Sequence, residues 1–134
     1  MSTTTQALSF DDPQLLQQLA QASEADLDAA PFGVIGFDSD GHVRRYNRYE
    51  AQAARFSPED VLGQHVFVEL APCMNNYLVA GRFEEARESG SSLDALIPYV
   101  LTFRMRPTRV RLRLLAGEGE LQFIVVDRLS GAQS

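Results

Sequence analysis

The sequence predicts an α+β domain built on a five-stranded antiparallel sheet. Three observations carry this expectation. Segments of strand character gather at 32–46 and at 96–129, and helical signals fill the interval between them. Arg109-Val110-Arg111-Leu112-Arg113-Leu114 alternates strictly between charged and apolar residues, the period of a strand with one wet face and one packed face. Asp38-Ser39-Asp40-Gly41 stands between two apolar-bearing runs, where Asp-Gly is a strong hairpin signal.

Residues 1–12 are rich in Ser, Thr and Gln and are expected to fray, as is the tail at 130–134. Pro13 opens a short amphipathic stretch with Leu15, Leu16, Leu19 and Ala22 on one side. Ser23-Glu24-Ala25-Asp26 reads as an N-cap followed by an acidic first turn, giving a second short helix that ends before Pro31. Helices this short are marginal alone, so 13–30 must be a cap docked on something larger, the core at 31–129.

Phe32–Phe37 and His42–Tyr46 read as the two strands of the hairpin. Asn47–Ala54 and Ser57–Gly63 follow as helices, the second with Ser at the N-cap, Pro at the first position and Gly as terminator. His65–Leu70 is a short apolar segment leading into Ala71-Pro72-Cys73. Tyr77–Glu88 is the clearest helix, stopped by Ser89-Gly90. Leu96–Arg106, Thr108–Leu115 and Glu120–Leu129 are then strands, divided by Pro107 and by Gly117-Glu118-Gly119.

At 134 residues and 45% hydrophobic content the chain is one domain with enough apolar surface for a real core. A net charge of −6 argues against nucleic acid as a partner. The sequence has no long apolar run and no signal pattern at its start, which makes a cytoplasmic protein without membrane association the expectation, as monomer or weak dimer. All twelve basic residues are arginine, which excludes a cofactor held as a lysine Schiff base. One cysteine leaves no intrachain disulfide and no cysteine-rich zinc site, and the two histidines lack paired-ligand spacing.

Cys73 gains interest beside Tyr46 and Glu50. The latter two are four apart at the start of a short helix and therefore share a face. A phenol and a carboxylic acid on one face can both donate to a single buried anion, and a thiol offers a covalent anchor. Taken singly, each has a plainer reading: Cys73 as an inert core thiol, Glu50 as a solvated helix residue, Tyr46 as a strand-end core residue.

The runs Ala30-Pro31-Phe32-Gly33-Val34-Ile35, Asp38-Ser39-Asp40-Gly41, Tyr46-Asn47 with Glu50, Val61-Leu62-Gly63, Ala71-Pro72-Cys73 and Thr102-Phe103-Arg104-Met105-Arg106-Pro107-Thr108-Arg109-Val110 together resemble the photoactive yellow proteins. The likeness spans almost the whole chain beyond residue 8. It implies a PAS fold, with helices on one side of the sheet and the short N-terminal helices on the other. It also implies p-coumaric acid (4-hydroxycinnamic acid) attached covalently as a thioester on Cys73. By the same likeness Tyr46 and a protonated Glu50 hydrogen-bond its phenolate oxygen, and the Cys73 amide bonds the thioester carbonyl. Blue light would isomerise the double bond, Glu50 would give up its proton, and the N-terminal cap would loosen for a separate downstream signalling protein. Met105 matches the position tied to return of the trans form. The implied protein is a blue-light receptor and not an enzyme.

This chain departs from the family pattern at several positions. Ala54 stands where a threonine usually supports the tyrosine, and Phe56 stands where an arginine covers the chromophore, with Arg55 adjacent as a substitute. Phe103 replaces a tyrosine, and Leu101 replaces another aromatic. The rival from another class is a chromophore-less PAS module that senses a ligand or binds a protein. Weaker still are a cysteine enzyme with His65 as its base and a haem ligated by His65.

Overall fold

A computed structural model describes residues 8–102, 107–117 and 119–128. Two short helices come first, α1 (Leu15–Gln21) and α2 (Glu24–Asp28), followed by the hairpin β1 (Gly33–Phe37) and β2 (Val43–Tyr46). Next are α3 (Arg48–Ala54) and α4 (Pro58–Val61), a π-helical turn at Val66–Leu70 and a 3-10 turn at Pro72–Met74. Helix α5 (Ala80–Ser89) leads to β3 (Leu93–Leu101), β4 (Thr108–Ala116) and β5 (Gln122–Arg128). The strands form one antiparallel sheet in the order β2-β1-β5-β4-β3.

The sheet separates two apolar layers, and strand alternation decides which residue enters which. On one face Ile35, Val110, Leu112, Leu114, Ile124 and Val126 pack against the helices and turns between β2 and β3. On the other, Val34, Leu115, Phe123 and Val125 pack against Leu15, Leu19, Leu27 and Phe32. The expected two-sided arrangement is therefore present. Leu15 and Leu19 are fully buried, and burial of each contributes about 1.5–3 kcal/mol. A seven-residue helix has little stability of its own, so α1 exists because it docks. In α2, Ser23 and Asp26 complete a reciprocal capping box.

Three local expectations need correction. Residues 8–12 are not frayed: Leu8 and Phe10 are buried in the cap layer. Arg113 holds them, donating from Nη1 to the carbonyls of Phe10 (2.8 Å) and Asp12 (2.6 Å), while its Nε and Nη2 bind Asp94. The longest helix, α5, begins at Ala80 and not at Tyr77, because Asn76 Oδ1 takes the amides of Leu78 and Val79 and holds that stretch as a turn. Strand β3 starts three residues earlier than expected, its full length supported by the ladder to β4. The expected C-terminal part of that strand, 103–106, and the tail at 130–134 lie outside the described residues. Among the described residues, no helix is long and apolar enough to cross a membrane.

Candidate functional site

Asn47 turns the chain from strand to helix and so positions the site. Its Oδ1 caps α3 by accepting from the amide of Glu50 (3.2 Å) and also accepts from the amide of Val34 (2.9 Å). Its Nδ2 donates to the carbonyls of Leu27 (2.7 Å) and Phe32 (3.0 Å), tying the N-terminal cap to the same point. Tyr46, the last residue of β2, pairs with Ile35, and Glu50 enters the interior from the first turn of α3. Gly33 makes room for it: a Cβ there would collide with Glu50 Oε1.

Glu50 is fully buried and bound in bidentate fashion by Arg128 of β5, at 2.7 Å from Nη1 to Oε1 and 3.1 Å from Nη2 to Oε2. The resemblance implies Glu50 as a neutral donor; here its carboxyl oxygens accept from Arg128. Burial pushes the Glu50 carboxyl above its ordinary range, and Arg128 opposes that rise without cancelling it. For Arg128, the hydrogen bonds and charge of Glu50 outweigh the effect of burial, so its guanidinium is held charged. The Tyr46 hydroxyl is buried with no hydrogen-bond partner among the described residues. Burial, then the charge of Glu50, raises its pKa far above the usual phenol value, with Arg128 opposing.

Cys73 sits half-buried in the 3-10 turn, a free thiol packed against the same apolar layer that holds Tyr46, Met74 and Leu101. Its carbonyl accepts from Tyr99 Oη (2.6 Å) and Asn76 Nδ2 (3.3 Å), and Asn76 Nδ2 also donates to Tyr99 Oη (2.7 Å). Strand β3 thereby fixes the cysteine-bearing turn. Sequence reasoning passed over Tyr99, Asn76 and Arg128. For two of them the signal was alternation: Tyr99 shares parity with Leu101, and Arg128 with Ile124 and Val126, all on the inner face.

The remaining expected residues divide. Ala54 is buried at the end of α3, Arg55 caps that helix with a left-handed φ of 64°, and Phe56 packs partly buried on the inner layer. Phe103 and Met105 lie outside the described residues. His65 is engaged at the Gly41 turn: its Nδ1 accepts from the amide of Phe67 (3.2 Å) and its ring meets that of His42.

The residues present fit a phenolic acid bound through a thiol. An orphaned buried hydroxyl at Tyr46 asks for a polar partner, since leaving it unpaired costs about 1–3 kcal/mol. A thiol on the same apolar layer offers the anchor.

A PAS-fold family profile matches residues 27–126. The photoactive yellow protein of Rhodothalassium salexigens is 32% identical over 123 residues, covering 91% of this chain and 98% of that protein. That of Halochromatium salexigens is 32% identical over 105 residues, covering 78% of this chain and 83% of that protein. Among solved structures, the photoactive yellow protein domain of the sensor histidine kinase Ppr from Rhodospirillum centenum superposes with a TM-score of 0.75. It is 36% identical, over 82% of this chain and 96% of that one.

Proposed function

This chain belongs to the photoactive yellow protein family, a branch of the PAS fold, and on that premise we propose that it is a blue-light photoreceptor and not an enzyme. The ligand is p-coumaric acid, joined as a thioester to Cys73. The observation that carries the reading is the buried hydroxyl of Tyr46, without a hydrogen-bond partner among the described residues, on the layer that also holds the only thiol of the sequence.

When bound, the hydroxycinnamoyl group supplies an isomerisable double bond and a phenol whose charge depends on its surroundings. Tyr46 donates to its phenolic oxygen, which removes the orphan. Glu50, protonated in the dark, would be the second donor and would pass its proton to the phenolate oxygen after isomerisation. Its new charge then disturbs α3, which Asn47 ties to Leu27 and Phe32 in the cap. The loosened cap is the signal to a separate partner protein. Tyr99 and Asn76 orient the Cys73 carbonyl and hold the turn in place. In this role Met105 assists return to the dark form, and Arg55 and Phe56 border the chromophore.

A chromophore-less PAS module is the second reading, favoured by one observation: Arg128 already satisfies Glu50. Mixing purified protein with an activated p-coumaric ester separates the two. A visible band that is lost in Cys73→Ser and bleaches reversibly in blue light supports the photoreceptor. Failure of any cysteine-dependent band to form makes the ligand-free module correct.

A further inference from the structure

The pair of Glu50 and Arg128 places a fixed positive charge at the tyrosine end of the candidate site. Arg128 is the last residue of β5, opposite Val110, and its side chain is 15% exposed against 1% for Glu50. The other titratable groups facing the pair are Tyr46 from β2 and Tyr49 from α3. Strand β1 presents only Gly33, and α2 meets α3 through Asp28, which is occupied in accepting the amide of Arg48. Among the described residues, Arg128 is thus the sole cation in this group.

A buried site tolerates little net charge, so its ions must balance. With Glu50 ionised and Arg128 charged, the site is neutral and has no place for a second anion. A phenol brought to Tyr46 restores balance in either of two ways. It keeps its proton, leaving Glu50 and Arg128 paired, or it passes that proton to Glu50 and leaves its phenolate as the one negative charge opposite Arg128. In the second case the phenolic O–H bond breaks and a carboxyl O–H bond forms, with total charge unchanged.

Resting on the photoreceptor reading, we infer that Arg128 is the resident counter-ion of the site: it holds Glu50 in the unloaded protein and balances the ligand's phenolate once Glu50 has taken the proton. Arg128 is a positioning residue, acting through Glu50. It has a second consequence. When light returns the proton to the ligand, Glu50 regains a partner in Arg128 and is not left as an isolated ion, so the better that pair re-forms, the less the cap loosens.

The test compares wild type, R128Q, R128K and E50Q/R128Q, each as the full chain, first unloaded and then with activated p-coumaric ester. In the unloaded protein, the Glu50 carboxyl is followed by carbon NMR with labelled glutamate. Its titration midpoint is expected about one pH unit or more higher in R128Q, a tenfold gain in proton affinity, and near wild type in R128K. In the loaded protein, the pH at which the visible phenolate band gives way to the protonated phenol is expected to rise by a similar amount in R128Q, and R128K is expected to restore it. E50Q/R128Q removes both charges of the pair and serves where R128Q fails to fold; measured beside a further variant, E50Q, its phenolate band should titrate at higher pH than that of E50Q. Midpoints of unloaded and loaded protein that stay fixed when Arg128 is neutralised overturn its role while leaving the photoreceptor reading intact. A wild type that never forms a Cys73-dependent band overturns the photoreceptor reading, and the ligand half of this inference with it.

Discussion

Glu50 and Arg128 lie 78 residues apart in the chain and meet as a bidentate ion pair at the junction of α3 and β5. A buried pair is costly to break and cheap to replace as a unit. Removing one partner strands the other, at about 3–5 kcal/mol, whereas replacing both with apolar residues of similar size is often neutral. R128M is therefore expected to lower stability by about 3–5 kcal/mol at neutral pH, and E50L/R128M to recover most of it. Urea titrations across the double-mutant cycle measure both. The sign with pH follows from Glu50. In R128M its folded pKa is raised further above the already raised wild-type value, so the deficit is absent while Glu50 is protonated in both folded proteins and grows as pH rises through the wild-type folded value toward that of the variant. A deficit equal at acid and neutral pH would assign the loss to packing and not to a stranded charge.

Which parts of this molecule were legible in the sequence follows from which forces are local. The capping box at Ser23–Asp26, Pro58 opening α4, the Asp38–Gly41 hairpin and Gly90 ending α5 are set by residues within a turn of each other, and all are where the pattern puts them. Alternation along β4 likewise separates the inner Val110, Leu112 and Leu114 from Arg109, Arg111 and Arg113 on the other face. The burial of Leu8 and Phe10 was not legible, because it depends on Arg113 over a hundred positions away. Nor was the state of Glu50. Its spacing from Tyr46 suggests a shared helical face, but Tyr46 ends β2 and α3 begins only at Arg48, and the partner of Glu50 arrives from the central strand β5, 78 residues on in the chain. Asn47 and Tyr99 look like ordinary residues until the carbonyls they serve are in place.

Asn47 is the tie between cap and site, and the two halves of its amide have separable duties. N47A orphans the amide of Val34 and the carbonyls of Leu27 and Phe32, and also removes the α3 cap. A lost cap costs about 0.5–2 kcal/mol and an unsatisfied buried group about 1–3 kcal/mol, so a total of roughly 2–4 kcal/mol is expected. N47D keeps the acceptor and loses the donor. Hydrogen exchange should then show α3 still protected while α2 opens. Equal loss of protection in both helices would mean that the cap depends on α3 through some other contact.

Arg113 anchors the N-terminal segment. Its side chain is only 8% exposed, and it bridges Phe10 and Asp12 to Asp94 of β3, while neighbouring Arg111 lies 4.9 Å from the centre of the Phe10 ring. R113Q keeps much of the length but loses the charge and the fork. Hydrogen bonds to charged groups contribute about 1.5–3 kcal/mol, and that is the expected drop in stability. The accompanying signature is local: limited proteolysis should cut ahead of α1 in R113Q and spare wild type. Uncut R113Q would show that Leu8 and Phe10 hold the segment by packing alone.

The hairpin turn carries its own pH dependence through Asp38. Oδ1 accepts from the amides of Asp40 and His42, both at 3.0 Å, and Oδ2 accepts from Arg44 Nε at 2.8 Å. Desolvation pushes this carboxyl up, but the His42 amide, the Arg44 side chain and the Asp40 amide together hold it below its ordinary range. A depressed carboxyl contributes stability that is complete above the unfolded value of about 3.9 and is lost as pH falls through the folded value. D38N is therefore expected to be less stable than wild type at neutral pH, with the gap closing in acid below that point. Because the turn is solvated, the contribution of Arg44 should weaken with added salt, and that of the two amides should not. Denaturation midpoints of both proteins at neutral and acid pH, each at low and high salt, separate the two parts. A gap that persists unchanged into acid would place the role of Asp38 in turn geometry and remove its charge from the account.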